Sequence, residues 1–181
     1  MSIEEEIRRL QKIKKIYEAI DELTEDIIRK TGVEIPLKDI DYLISLFGGT
    51  IVEGDSFKKP EKTSTNTFNI FVSPWDRPQS RKFYAAARLG DVLLHTNYLS
   101  NHEEYLNSKE MEYKPDNGLL QQVYLSNDFA GSLLMPKNTF FDVVDNFSED
   151  GMVDCRKVAD HFDVSVSSAI ARGKRLGYKW E

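Results

Sequence analysis

Two side chains that could share a divalent cation lie one helical turn apart: Asp91 and His95, at the end of the stretch Arg81 to His95, RKFYAAARLGDVLLH. A carboxylate and an imidazole at i and i+4 leave one face of a helix together, so both can reach one ion. His102, Glu103 and Glu104 follow a short loop later and would add donors. Arg88 stands three residues before Asp91, where an ion pair competes for the same carboxylate. His95 also reads as a structural imidazole with satisfied hydrogen bonds, and His161 as a partly exposed helical residue. The chain carries no phosphate-cradling glycine loop, no G-x-G-x-x-G, no nucleophile elbow and no Ser/His/Asp grouping in sequence. Its single cysteine, Cys155, excludes a disulfide framework and a cysteine zinc cluster, and suits a reducing cytoplasm.

The elements that must position these groups can be read from periodicity. The chain has 181 residues, 40% of them hydrophobic, enough for one domain with a real core and a small appendage. From Ser2 to about Lys30, apolar residues from Ile3 through Ile7, Leu10 and Tyr17 to Ile27 recur every three or four positions behind a Ser2/Glu5 capping box. That helix packs on its own domain or contributes part of itself to a dimer seam. Gly32 ends it, and Pro36 opens a short helix through Phe47. Strands are expected at Thr50 to Glu53 and Phe68 to Val72, together a small antiparallel sheet beside the helix Arg81 to His95. Gly54 to Asn66 between them reads as a polar loop. In the Ser73 to Ser80 loop, Trp75 is either tucked against a rigid turn or an aromatic anchor for a partner. Thr96 to Gly118 lacks clean periodicity, Leu119 to Leu134 forms a helix, and Lys137 to Phe147 another.

Residues 1–150 are expected to form the main domain and residues 151–181 a separate helix-turn-helix-like unit. In the latter, Val153 to Phe162 and Ser165 to Leu176 flank a turn at Asp163. It is either a structural helical pair or a DNA reader, with Arg172, Lys174 and Arg175 as candidate contacts. The overall formal charge of -6, from 24 Lys and Arg against 30 Asp and Glu, argues against a broad nucleic-acid coat. No apolar run is long enough for a membrane span, and the opening MSIEEEIRRLQ is charged rather than signal-like, so a cytoplasmic location is expected.

Two stretches together resemble the ImmA/IrrE-type zinc metallopeptidases. In Arg81 to His95, Phe83, Ala86, Leu89, Gly90, Leu94 and His95 fit the pattern R-x-F-t-x-A-H-E-x-G-H-x-x-L-H. In Val123 to Pro136, VYLSNDFAGSLLMP, Asn127, Phe129, Ala130 and Leu133 to Pro136 fit E-A-N-x-F-A-x-x-L-L-M-P. The resemblance implies an α+β fold, a mostly helical zincin-like core with a small sheet. It also places the former chemical positions at Ala87, Arg88, Asp91 and Leu125, where the family has His, Glu, His and an acidic residue. An H-E-x-x-H helix gives zinc two imidazoles and water a general base. Ala87 and Leu125 have no donor atoms, and Arg88 brings positive charge where a proton acceptor is required. The expectation is therefore a pseudopeptidase without cofactor that binds a protein partner in regulation, such as a phage or mobile-element repressor or a host defence protein. Trp75 and His95 are its candidate partner-binding residues, and a dimer is compatible with the sequence. A transcriptional regulator acting through the terminal unit on DNA and a hydrolase with an unconventional metal are the alternatives.

Overall fold

The computed structural model describes residues 3–115, 121–149 and 152–178. The serine of the expected capping box lies outside these residues. Helix α1, Ile3–Thr31, has glutamates in its first turn and Arg29 and Lys30 in its last, complementing the helix dipole at both ends. It stops at Gly32, whose φ of +69° is a left-handed cap that a side chain would strain. The next helix starts later than Pro36: α2, Ile40–Ser45, is capped by Asp39, whose carboxylate accepts the Tyr42 backbone N–H at 2.8 Å.

Strands β1 (Gly49–Glu53), β2 (Glu61–Ser64) and β3 (Thr67–Val72) form one sheet in the order β1-β3-β2. The expectation of a purely antiparallel sheet is corrected here. Strands β2 and β3 form an antiparallel hairpin, but β1 runs parallel to β3, with Ile51 opposite Ile70. Parallel neighbours cannot be joined by a tight turn, and the supposed loop contains the extra edge strand β2 that carries the chain around. Alternation in β3 turns Phe68, Ile70 and Val72 inward, where they are fully buried.

Helix α3, Pro78–His95, opens with a proline whose missing N–H costs nothing in a first turn. It packs on β3 and, more extensively, on α5, Gln122–Leu134. The two helices approach closely because Gly90 has no side chain: a Cβ there would lie 2.9 Å from the Phe129 ring. Between them α4, His102–Asn107, occupies part of the stretch that showed no clean periodicity. Helix α6, Lys137–Asn146, is followed by the two-residue strands β4 (Ser148–Glu149) and β5 (Met152–Val153), then α7 (Cys155–Phe162) and α8 (Val166–Arg175). Asp163 makes the turn between α7 and α8 in the left-handed region, φ 50°.

The core passes through the expected boundary at residue 150. Val158, Ala159, Phe162 and Ala169 belong to the same buried cluster as Phe140, Leu133 and Leu89. Among the described residues, no helix is long and apolar enough to cross a membrane.

Candidate functional site

The helix interface between α3 and α5 holds the four positions, Ala87, Arg88, Asp91 and Leu125, at which the resemblance places the family's chemistry. Ala87 is fully buried, Arg88 and Asp91 are 7% and 4% exposed, and Leu125 is half-buried against the core. Spacing set Arg88 against Asp91, and the structure pairs them, with Nη1 3.1 Å from Oδ2. Asp128 is taken by Arg175. Arg88 Nη1 also donates to the Phe57 carbonyl at 3.3 Å. Arg88 Nε and Asp91 Oδ2 have no well-aligned hydrogen bond among the described residues, so the contact is an ion pair rather than a bidentate fork.

The other oxygen of Asp91 accepts the Ser126 hydroxyl at 2.5 Å, and His95 Nε2 lies 3.1 Å from the same hydroxyl and 3.0 Å from the Gln122 carbonyl. Asp91, Ser126 and His95 thus form a grouping that spacing along the chain did not reveal. The hydrogen-bond order decides what it can do. A carbonyl can only accept, so a proton on His95 Nε2 satisfies both contacts, while Ser126 gives its own proton to Asp91. The imidazole is then no base toward Ser126, which is fully buried, and the grouping holds the two helices together rather than forming a nucleophilic triad.

A cover lies over this centre. Between β1 and β2, the Phe57 to Pro60 segment supplies the carbonyl to Arg88, and the Tyr113 hydroxyl donates to the Pro60 carbonyl at 2.9 Å. Lys59 donates to the Gln122 side chain at 3.2 Å and sits 4.3 Å from the centre of the Tyr113 ring. Burial pushes the Tyr113 phenol far above its ordinary pKa, and the nearby Asp91 carboxylate adds to the effect. The strap is pinned again where the Lys114 backbone N–H meets the His95 carbonyl at 2.7 Å.

These residues do not fit a zinc ion. One carboxylate, Asp91, is committed to Arg88 and Ser126, Ala87 and Leu125 contribute no donor, and a guanidinium stands beside the place a cation would need. Among the described residues no three of His, Cys, Asp and Glu converge. The residues His102, Glu103 and Glu104 are not brought to Asp91: the His102 ring packs on Tyr98 and Tyr105, and its Nδ1 contacts the Tyr98 carbonyl at 3.0 Å.

The family model of the IrrE N-terminal-like domain, a peptidase family M78 model, matches residues 38–174. The chain belongs to this IrrE-like family. A solved structure of a Mycobacterium tuberculosis transcriptional regulator is similar, at 17% identity and a TM-score of 0.57, over 89% of this chain and 48% of that chain. This likeness concerns the fold, and the chain spans about half the length of that structure. No curated protein matches the chain.

In the IrrE-like chain the remaining sequence candidates fall in three different places. Trp75 is 92% exposed; the turn around it is held by the Ser73 N–H to Ser56 and by Ser56 to Asp76, with the indole outside. His95, a candidate partner contact, is only 5% exposed and faces Ser126 and Gln122, so its ring is used internally.

The candidate DNA contacts are corrected most strongly. Arg172 is 3% exposed, with Nη2 2.8 Å from Asp21 Oδ1, Nη1 donating to Ser132 and Nε to the Met135 carbonyl. Arg175 forks onto Asp128 at 2.7 and 3.0 Å and reaches Asp21 at 3.0 Å. Both guanidinium groups face inward because α8 packs on α5 with this side and the two arginines reach across to α1; of the three, only Lys174 is exposed. Burial raises the Asp21 carboxyl, but Arg172, Ser132 and Arg175 outweigh it and hold the pKa below the ordinary carboxylate value. At Asp128 burial wins over Arg175 and the pKa is raised. Sequence reasoning missed Asp21, although a carboxylate between Tyr17 and Thr24 on the apolar face of α1 was a legible sign of a buried partner.

Proposed function

We propose that this IrrE-like chain is a pseudopeptidase that binds a protein partner in regulation instead of cleaving it. The observation that carries the reading is the buried Arg88–Asp91 pair at 3.1 Å, which occupies the centre where the resembled peptidases place a base and a metal ligand. A guanidinium there supplies a fixed positive charge to the surrounding acceptors without offering a lone pair or an open coordination position.

Large apolar side chains flank the closed centre. Phe57, 72% exposed, whose own carbonyl accepts from Arg88, packs obliquely on Tyr84 at 5.4 Å, while the exposed Val123 and Tyr124 adjoin Gln122, whose carbonyl meets His95. Exposed aromatics beside a rigid, buried polar centre are the composition of a protein-binding surface. A phage or mobile-element repressor, or a host regulatory or defence protein, is the class of partner this reading assigns. The regulatory role carried by the name of the structurally similar mycobacterial protein is consistent with it. DNA recognition by the terminal unit is disfavoured because Arg172 and Arg175 are spent on Asp21 and Asp128.

The test joins metal analysis to partner capture. Purified protein is expected to hold far less than one zinc per chain, to show no chelator-sensitive peptidase activity, and to retain from its native host a protein that Phe57→Ser or Tyr124→Ser releases. Stoichiometric zinc with chelator-sensitive cleavage overturns the reading.

A further inference from the structure

The first turns of α1 carry an apolar stripe that, among the described residues, is left largely uncovered. Ile7 is 49% and Leu10 56% exposed, Ile13 and Tyr17 are half-buried, and the first fully inward apolar residue is Ile20. Successive steps of three and four place Ile7, Leu10, Ile13 and Tyr17 on one side of the helix, continuous with Asp21 and Thr24, which are buried on the body. The body does not close on the stripe: a hollow of about 300 Å³ separates Leu10, Ile13 and Tyr17 from Lys137 and Leu176. The ion pairs along these turns stay within the helix, Glu6 to Arg9 at 3.6 Å and Lys14 to Glu18 at 3.8 Å. Residues 4–17 make roughly 20 Å of helix at about 1.5 Å per residue. Among the described residues, the body holds this stretch only at its C-terminal end, where Arg175 meets the Tyr17 carbonyl and ring and Ile16 packs on the core. Helical turns with so little tertiary packing are marginal in water, which favours a partner over an isolated rod.

We propose that these turns pair with the same turns of a second copy of the chain, antiparallel, about a two-fold axis near Leu10. The charge order selects both partner and direction. Glu4, Glu5 and Glu6 begin the segment, Arg8 and Arg9 stand near its middle with Arg9 held by Glu6, and Lys12, Lys14 and Lys15 end it. Antiparallel pairing lays the acidic turn of each helix alongside the basic turn of the other, within the roughly 10 Å over which exposed charges act at moderate salt. It also sets Ile7 against the partner's Ile13 and Leu10 against the partner's Leu10, a self-complementary stripe as an isologous contact requires. Parallel pairing would stack three glutamates on three glutamates. The interface lies away from the α3–α5 centre and does not depend on whether that centre is catalytic.

Sedimentation equilibrium of the full chain tests this. A dimer at tens of micromolar protein is expected, with dissociation at least 100-fold easier in Leu10→Glu while the thermal unfolding of the body is unchanged. In a Cys155→Ser background, Ile7→Cys mixed with Ile13→Cys is expected to form an intermolecular disulfide, and Ile7→Cys alone is not. A chain that stays monomeric at millimolar concentration overturns the proposal. So does a dimer that Leu10→Glu leaves intact, or a disulfide that Ile7→Cys forms with itself more readily than with Ile13→Cys.

Discussion

Arg88 shows how one residue decides what a helix can do. A glutamate at this position would be a base, whereas the guanidinium donates to the Phe57 carbonyl and neutralises Asp91 in a buried setting. Removing one member of such a pair strands the other, so Arg88→Ala is expected to lower unfolding free energy by about 3 kcal/mol, read by urea denaturation. A change below about 0.5 kcal/mol, within the range of ordinary surface substitutions, would show that Asp91 does not need it. Introducing two imidazoles is not expected to create a metal site. With Ala87→His and Asp91→His together, Leu125 still supplies no third ligand and Arg88 still repels a cation, so metal analysis should return no stoichiometric zinc. A double variant that purifies with one zinc per chain would contradict this account of the site.

At the scale of elements, two contacts decide how the helices are held. Gly90 lets α3 and α5 touch, and Gly90→Ala forces a methyl group against the Phe129 ring. Overpacking of this kind costs about 1–3 kcal/mol, and the loss should appear in denaturation midpoints. The second contact is the clamp in which Asp21 of α1 and Asp128 of α5 share the two guanidinium groups of α8. Asp21 has its folded pKa lowered, so its stabilisation is present above the unfolded value, about 4, and is lost as pH falls through the folded one. Asp128 is raised and acts with the opposite sign, which softens the acid limb without removing it. Thermal unfolding between pH 3 and 5 should therefore fall more steeply for the wild-type chain than for Asp21→Asn. Equal slopes would exclude Asp21 as the source.

For the whole molecule, the C-terminal pair is tied into the body rather than free to read a groove. Reversing Arg172 or Arg175 would unfold the clamp and so says nothing about DNA, whereas the exposed Lys174 can be reversed cleanly. No specific band shift is expected at physiological salt, and Lys174→Glu should leave that result unchanged. A salt-sensitive shift lost in Lys174→Glu would restore the DNA reading. The exposed turns of α1 and the apolar rim at Phe57 and Tyr124 are separate surfaces, so self-association and partner capture should be separable by mutation.

Residue types and local spacing were sufficient for the helices with strong periodicity, the turn at Asp163, the Arg88–Asp91 pair and the family resemblance, because each depends on neighbours within one or two turns. The edge strand β2 escaped because EKTS has no apolar alternation: only its hairpin with β3 makes it a strand. The parallel register of β1 was equally invisible, since two short apolar runs look alike in either direction. Tertiary structure alone brought Ser126 between Asp91 and His95, and turned Arg172 and Arg175 from surface cations into the buried partners of Asp21 and Asp128. A basic cluster in sequence carries charge but not direction. Which way a guanidinium points is fixed by the carboxylates that distant segments place within its reach, and burial makes that choice binding, because an unpaired charge in the core costs more than a solvated one.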